Sequence, residues 1–287
     1  MGVATLIIKE KEWEGPGRGQ LEEQCREAGF SLVQIGSWQD LSDVPGKETA
    51  LVMSCTDSGI LTAKREHLPV LAFRNSGLEQ MCGKQELYGT TYLLEDIGEA
   101  DGVLFRKAYA REKGLPVQIG ATPRCVIREI SPDDIHCLYE LQNGKINSES
   151  LHPMQLSFPE YRDFWESYCR EQYGFFDYGF WLVTADCKGA EQIIGVAGFE
   201  DSEQESGLEL GYWIAEKYRQ KGYAKEVCAF LLQYASEQLE AEEVSVFIRP
   251  DNLPSIRLAE SLGFLEKPFT GKEEKQALQY MKSLQFL

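Results

Sequence analysis

Between residues 208 and 264 the chain passes twice from a strand-length apolar run to a helix-length one, and this order constrains the fold more than any other feature. The first run, Leu208-Glu209-Leu210-Gly211-Tyr212-Trp213-Ile214, leads into the basic turn Tyr218-Arg219-Gln220-Lys221-Gly222-Tyr223-Ala224. Beyond it, Ala224, Val227, Cys228, Leu231, Leu232, Ala235 and Leu239 recur at helical spacing. Residues 244–248 then alternate as a strand, Arg249-Pro250-Asp251-Asn252-Leu253-Pro254-Ser255 turns, and a short helix over 256–262 ends at Gly263-Phe264. Unpaired N–H groups and the positive dipole end at a helix start form an anion site, and Gly222 lets the backbone approach a phosphate closely. Arg219, Lys221 and Lys225 add positive charge there, although such charges also occur on ordinary surface helices.

That local charge stands out because the chain carries Lys+Arg 29 against Asp+Glu 46, a formal net charge of -17. A field of this sign repels nucleic acid and anionic membrane surfaces, so neither is expected as a partner. No apolar run approaches the ~20 residues that span a bilayer. The eight cysteines are scattered without a Cys-x-x-Cys, and no signal peptide is evident; reduced thiols in a cytoplasmic protein are expected. The three histidines have no metal-ligand spacing, and no metal is expected.

At 287 residues the chain suits two domains. Residues 1–118 have the βαβα rhythm of a small open parallel α/β sheet domain, with strands at 4–8, 31–35, 50–53, 70–73 and 91–94 and helices at 20–28, 58–66, 78–83 and 100–113. Gly15-Pro16-Gly17-Arg18-Gly19 sits where a phosphate loop would, but matches no fingerprint and reads as a flexible turn. The Gly- and Pro-rich segment 114–123 marks the boundary. A mixed α+β domain follows over 124–287. It has a strand at 125–130, a helix start at Ser131-Pro132-Asp133-Asp134, an aromatic helix at 158–173, and antiparallel-looking strands at 179–185, 193–199 and 208–214.

Arg219-x-x-Gly222-x-Ala224 resembles the pyrophosphate loop of the GNAT acetyltransferases, and residues 252–264 resemble their second cofactor motif. The run 208–214 is similar to the strand before the loop, most like the branch acting on protein amino-termini, polyamines and aminoglycosides. The resemblance covers residues 124–287 and implies a mostly antiparallel mixed sheet and acetyl-CoA as co-substrate. It implies diphosphate binding by Arg219, Gln220, Lys221, Gly222, Tyr223, Ala224 and Lys225. The strand at Tyr212, Trp213 and Ile214 is then splayed from the one at 244–248, with pantetheine in the opening. Asn252 is implied to reach the pantetheine arm, its ordinary alternative being a cap or turn residue. The stretch 51–73 loosely resembles a haloacid-dehalogenase-like or Rossmann-like α/β layer, yet Asp57 lacks a phosphatase nucleophile's setting.

The chemistry implied is attack of an amine on the thioester. An alkylamine of pKa about 10.4 must lose a proton, and Glu209 and Glu200 are the candidate bases, each equally readable as a solvent-facing strand residue. A backbone N–H near residues 212–214 is the candidate oxyanion donor. Many members place a thiolate-protonating tyrosine where this chain has Ala259, which leaves Ser255, another tyrosine or water. The acceptor, a small-molecule or peptide amine, is expected among residues 143–153, 158–178 and 267–275, near Glu149, Glu166 or Asp177. Ala259 keeps open a second reading, a catalytically silent acyl-CoA-binding sensor. The N-terminal domain is open between scaffold, homodimer surface and acceptor-recognition module.

Overall fold

The computed structural model describes residues 5–13, 16–143, 156–187, 189–202, 207–267 and 277–284. The chain divides into two compact units, Met1–Val117 and Gln118–Leu287. The first contains β1 (Thr5–Lys9), α1 (Pro16–Ala28), β2 (Ser31–Ile35), β3 (Ala50–Ser54), α2 (Asp57–Arg65), β4 (Val70–Phe73), α3 (Ser76–Cys82), β5 (Leu93–Leu94) and α4 (Gly102–Glu112). Its strands form one parallel sheet in the order β2-β1-β3-β4-β5. Successive side chains leave a strand on opposite faces. Leu6, Ile8, Leu51 and Met53 therefore pack with Leu21, Cys25 and Phe105, while Ile7 and Val52 pack with Trp38, Ile60 and Ala63. A sheet covered on both faces needs apolar residues at every position, which is why β3 and β4 read as unbroken apolar runs.

One local expectation changes here. Pro16–Gly19 is the first turn of α1, not a flexible turn. A proline at a helix start sacrifices no hydrogen bond, and Arg18 is held by Glu22 at 3.0 Å and Gln34 at 2.7 Å. Asp57 opens α2 and clamps a loop, its carboxylate accepting from Glu86 N at 3.2 Å and Leu87 N at 2.7 Å.

The second unit contains β6 (Gln118–Ala121), β7 (Cys125–Arg128), α5 (Ile135–Asn143), α6 (Phe158–Phe176), β8 (Phe180–Asp186), β9 (Glu191–Asp201), β10 (Leu208–Ile214), α7 (Tyr223–Gln238), β11 (Glu243–Ile248), α8 (Leu253–Ser261), β12 (Leu265–Lys267) and β13 (Leu278–Ser283). Its sheet runs β12-β13-β11-β10-β9-β8-β7-β6, antiparallel except at β10–β11, whose parallel pairing follows from the crossover through α7. The chain thus joins a parallel α/β sheet to a mixed, mostly antiparallel one. Part of the Gly- and Pro-rich segment is an edge strand, β6. There a Cβ on Gly120 would lie 2.2 Å from the Phe230 ring, so only glycine lets α7 approach.

The pleat assigns the faces of this sheet. The Trp181 ring meets Tyr234 of α7 at 5.4 Å, so Phe180 points to the opposite face. Phe180, Gly198 and Gly211 lie in one cross-strand row, and the Phe180 ring occupies the space a Gly211 Cβ would need, at 2.6 Å. Helix α6 is joined to this region by hydrogen bonds from Phe180 N to Tyr168 Oη at 2.7 Å and from Tyr173 Oη to Phe180 O. At the start of the unit Asp134 accepts from both Arg128 Nη atoms at 2.7 Å and from Ser131 N and Oγ at 2.8 and 2.6 Å, fixing the entry to α5.

Candidate active site

β10 and β11 pair only at Leu208↔Val244 and Glu209↔Ser245. Past Glu209 the two strands diverge, although β10 stays paired with β9 as far as Ile214 and β11 with β13 as far as Ile248. The result is a wedge between the facing edges of β10 and β11, which do not pair with each other beyond its apex at Glu209. At ~3.3 Å per residue, the five residues from Leu210 to Ile214 give a wall about 16 Å long. Trp213 and Ile214 have buried side chains, so at these positions the wall offers backbone. Arg219 Nε donates to Ile214 O at 2.9 Å and closes the outer end of that strand.

The turn into α7 bends through two left-handed residues, Gln220 at φ 58° and Gly222 at φ 82°. Gly222 is the N-cap of α7 and no side chain caps that helix start. The 16-residue helix is anchored beneath by Val227, Cys228, Leu231, Leu232 and Ala235. Its first N–H groups and dipole therefore present a positive site beside the mouth of the wedge. Lys221 Nζ donates to Lys217 O at 2.7 Å, and Lys225 is exposed in the first turn. Half-buried Tyr223 carries Arg124 above its ring, 4.5 Å from the centroid. Ala224 is half-buried.

Arg124, absent from the sequence-based site, lies against this turn. Its Nη1 donates to Lys221 O at 2.8 Å and its Nε to Glu226 Oε2 at 2.6 Å. A Cβ on Gly222 would stand 3.3 Å from Nη2 of the same arginine. No local pattern in the sequence announces it, because its partners Lys221 and Glu226 lie about a hundred positions away, in and before the first turn of α7.

On the other wall, Asn252 caps α8, its Oδ1 accepting from Ser255 N at 3.3 Å. Ser255 Oγ accepts a hydrogen bond from Tyr212 Oη at 2.8 Å, which ties α8 to β10. Burial pushes the Tyr212 phenol up to about 12, so it stays protonated near neutral pH. Ala259 is buried in α8, yet a phenol does reach this helix, from β10.

Glu209 and Glu200 are directly opposite one another on β10 and β9. They stand two residues from the Gly211–Gly198 row and so share its face, away from α7. Glu209 is half-buried and Glu200 exposed. Tyr168 of α6 feels the Glu200 charge, although burial is the larger reason its phenol is raised. The sequence-predicted acceptor region is only partly described: 144–155, with Glu149, and 268–276 lie outside the described residues. Within α6, Tyr161, Trp165 and Tyr173 are core, while Phe164, Phe175 and Phe176 are exposed. Glu166 pairs with Arg162 at 3.7 Å, and Asp177 ends α6 in a left-handed conformation. Among the described residues, no group of three or more His, Cys, Asp or Glu is placed to hold a metal ion.

The family model described as an acetyltransferase (GNAT) domain matches residues 124–265. The SPbeta prophage-derived uncharacterized N-acetyltransferase YokL of Bacillus subtilis (strain 168) is 31% identical over 144 residues, 49% of this chain and 76% of YokL. The chain belongs to the GNAT acetyltransferase family. It is an acyltransferase, and its second unit carries the matched region. The uncharacterized N-acetyltransferase p20 of Bacillus licheniformis is 33% identical over 89 residues, 31% of this chain and 50% of p20, so the chain spans about half of that relative. Among solved structures, an acetyltransferase from Agrobacterium tumefaciens str. C58 is 22% identical, covering 57% of this chain and 94% of its own, with a TM-score of 0.49.

Proposed function

We propose that this acetyltransferase uses acetyl-CoA to acetylate a primary amine of a small molecule or protein terminus, with the chemistry housed in residues 124–287. The observation that carries the reading is the wedge between β10 and β11, opening beside the start of α7 that no side chain caps. An extended pantetheine arm takes backbone hydrogen bonds from the strand edges, as an added strand would, while the diphosphate takes the N–H groups following Gly222. Arg219, Gln220, Lys221, Tyr223, Ala224 and Lys225 shape and charge that turn. Tyr212, Trp213 and Ile214 supply the wall, and Asn252 and Ser255 the facing helix start.

The thioester then lies toward the apex, where Glu209 stands. The amine nitrogen bonds to the acetyl carbon and the carbon–sulfur bond breaks. The amine's protons pass to Glu209, or to Glu200 opposite, directly or through water. A main-chain N–H of the β10 wall stabilises the oxyanion. The departing thiolate, with a thiol pKa near 8–9, takes a proton from Ser255 or from water. The Tyr212–Ser255 hydrogen bond supports the enzyme reading, since it brings a phenol to α8, where Ala259 provides none. Release of CoA thiol from acetyl-CoA is to be followed across a panel of amines. Amine-dependent thiol release is expected; tight CoA binding with no release on any amine would refute transfer.

A further inference from the structure

The first turn of α7 contains a feature at odds with anion binding. Glu226 is an acid in the opening turn of the helix whose start is to receive a diphosphate. A carboxylate is itself drawn to the positive end of a helix, and beside a phosphate it repels.

The structure turns this carboxylate aside. Its Oε1 accepts from Thr122 Oγ1 at 2.6 Å and from Arg124 N at 2.9 Å, and its Oε2 from Arg124 Nε at 2.6 Å. All of these donors come from the turn between β6 and β7. Burial alone would raise the Glu226 carboxyl, but the hydrogen bonds from Thr122 and Arg124 outweigh it and hold the group below its ordinary value. It is therefore ionised, and its charge must be balanced where it stands. The arginine that balances it also holds Lys221 O, lies over Tyr223, and sets Nη2 against Gly222.

Resting on the proposed diphosphate site, we infer that Arg124 is a positioning residue for the cofactor: it screens Glu226 from the diphosphate and braces the loop through the Lys221 carbonyl. The Thr122–Arg124 turn, which reads in sequence as the end of a linker, thereby becomes part of the cofactor site. Arg124→Gln leaves Glu226 unbalanced. Glu226→Gln instead releases a cation beside the diphosphate.

CoA binding by the full chain is to be measured by calorimetry at low and high salt, and acetyl-CoA KM and kcat on a working amine. For Arg124→Gln the expected result is an affinity about tenfold weaker at low salt, a smaller loss at high salt, and a raised KM with kcat held. Glu226→Gln is expected to bind at least as tightly as the parent, and the double variant to recover most of the single variant's loss. Arg124→Gln binding like the parent, a double variant as weak as Arg124→Gln, or Glu226→Gln binding more weakly would each overturn the inference. If Arg124→Gln fails to fold, Glu226→Gln still decides. A parent chain that does not bind CoA would instead refute the proposed function.

Discussion

Gly222 is where the phosphate loop is most exposed to a designed insult. Its φ of 82° is a left-handed conformation, costing a side-chain-bearing residue about 1–2 kcal/mol, with Asn and Asp at the lower end. The added Cβ would meet Arg124 Nη2 at 3.3 Å, a contact the flexible guanidinium can relieve. Gly222→Asn and Gly222→Asp share both effects, and only the second adds charge. Two unit charges 4 Å apart repel by about 4 kcal/mol at an effective dielectric of 20. Halved for the exposure of the loop, about 2 kcal/mol remains, roughly thirtyfold in affinity. Calorimetric titration with CoA is thus expected to show Gly222→Asp binding roughly thirtyfold more weakly than Gly222→Asn, with the gap narrowing at high salt. Both should melt within about 2–4 °C of the parent domain. Equal affinities for the Asn and Asp variants, or an Asp variant indistinguishable from the parent, would show that no anion docks at this turn.

Glu209→Gln is expected to lower the rate by about a hundredfold or more and to flatten its rise with pH, as loss of a general base does; an unchanged pH–rate profile would remove Glu209 from the mechanism. Asn252→Ala should cost about 1 kcal/mol in denaturant unfolding through loss of the α8 cap, and Asn252→Asp, which keeps an acceptor, should restore it. Failure of Asp to restore stability would mean the cap is not what Asn252 contributes to folding. Asp134→Asn should destabilise by about 2–4 kcal/mol at pH 7. Burial raises the Asp134 carboxyl, but Arg128 and Ser131 lower it further, leaving it below its ordinary value. Its stabilisation is therefore complete above the ordinary Asp pKa of about 3.9 and fades as pH falls through the folded-state value. The gap between parent and variant should shrink toward pH 3, and a gap independent of pH would contradict this.

The parts of the fold written locally were legible in sequence. β2 and β10 have the bounds their apolar runs indicate, and β3 and β4 differ from them by a residue at most, because a buried parallel strand is apolar throughout. What escaped was set by distant partners. β6 hides among glycines and prolines because Gly120 answers to Phe230. β13 hides because Gln279, buried at 3%, breaks the apolar alternation. α8 begins at Leu253, earlier than its apolar spacing indicates, because Asn252 caps it. In the candidate site the glycine turn and helix start were readable, being one continuous segment. The Tyr212–Ser255 bond and the facing of Glu209 to Glu200 required strand register. The Arg124–Glu226 pair joins positions 102 residues apart, and no periodicity reports such a contact.

A crystal structure of the full chain with CoA tests the whole account most directly. Diphosphate oxygens within about 3 Å of the backbone nitrogens following Gly222, with the pantetheine arm running between β10 and β11 and its sulfur toward Glu209, are the predicted result. CoA bound elsewhere, or β10 and β11 found paired along their whole length, would contradict it.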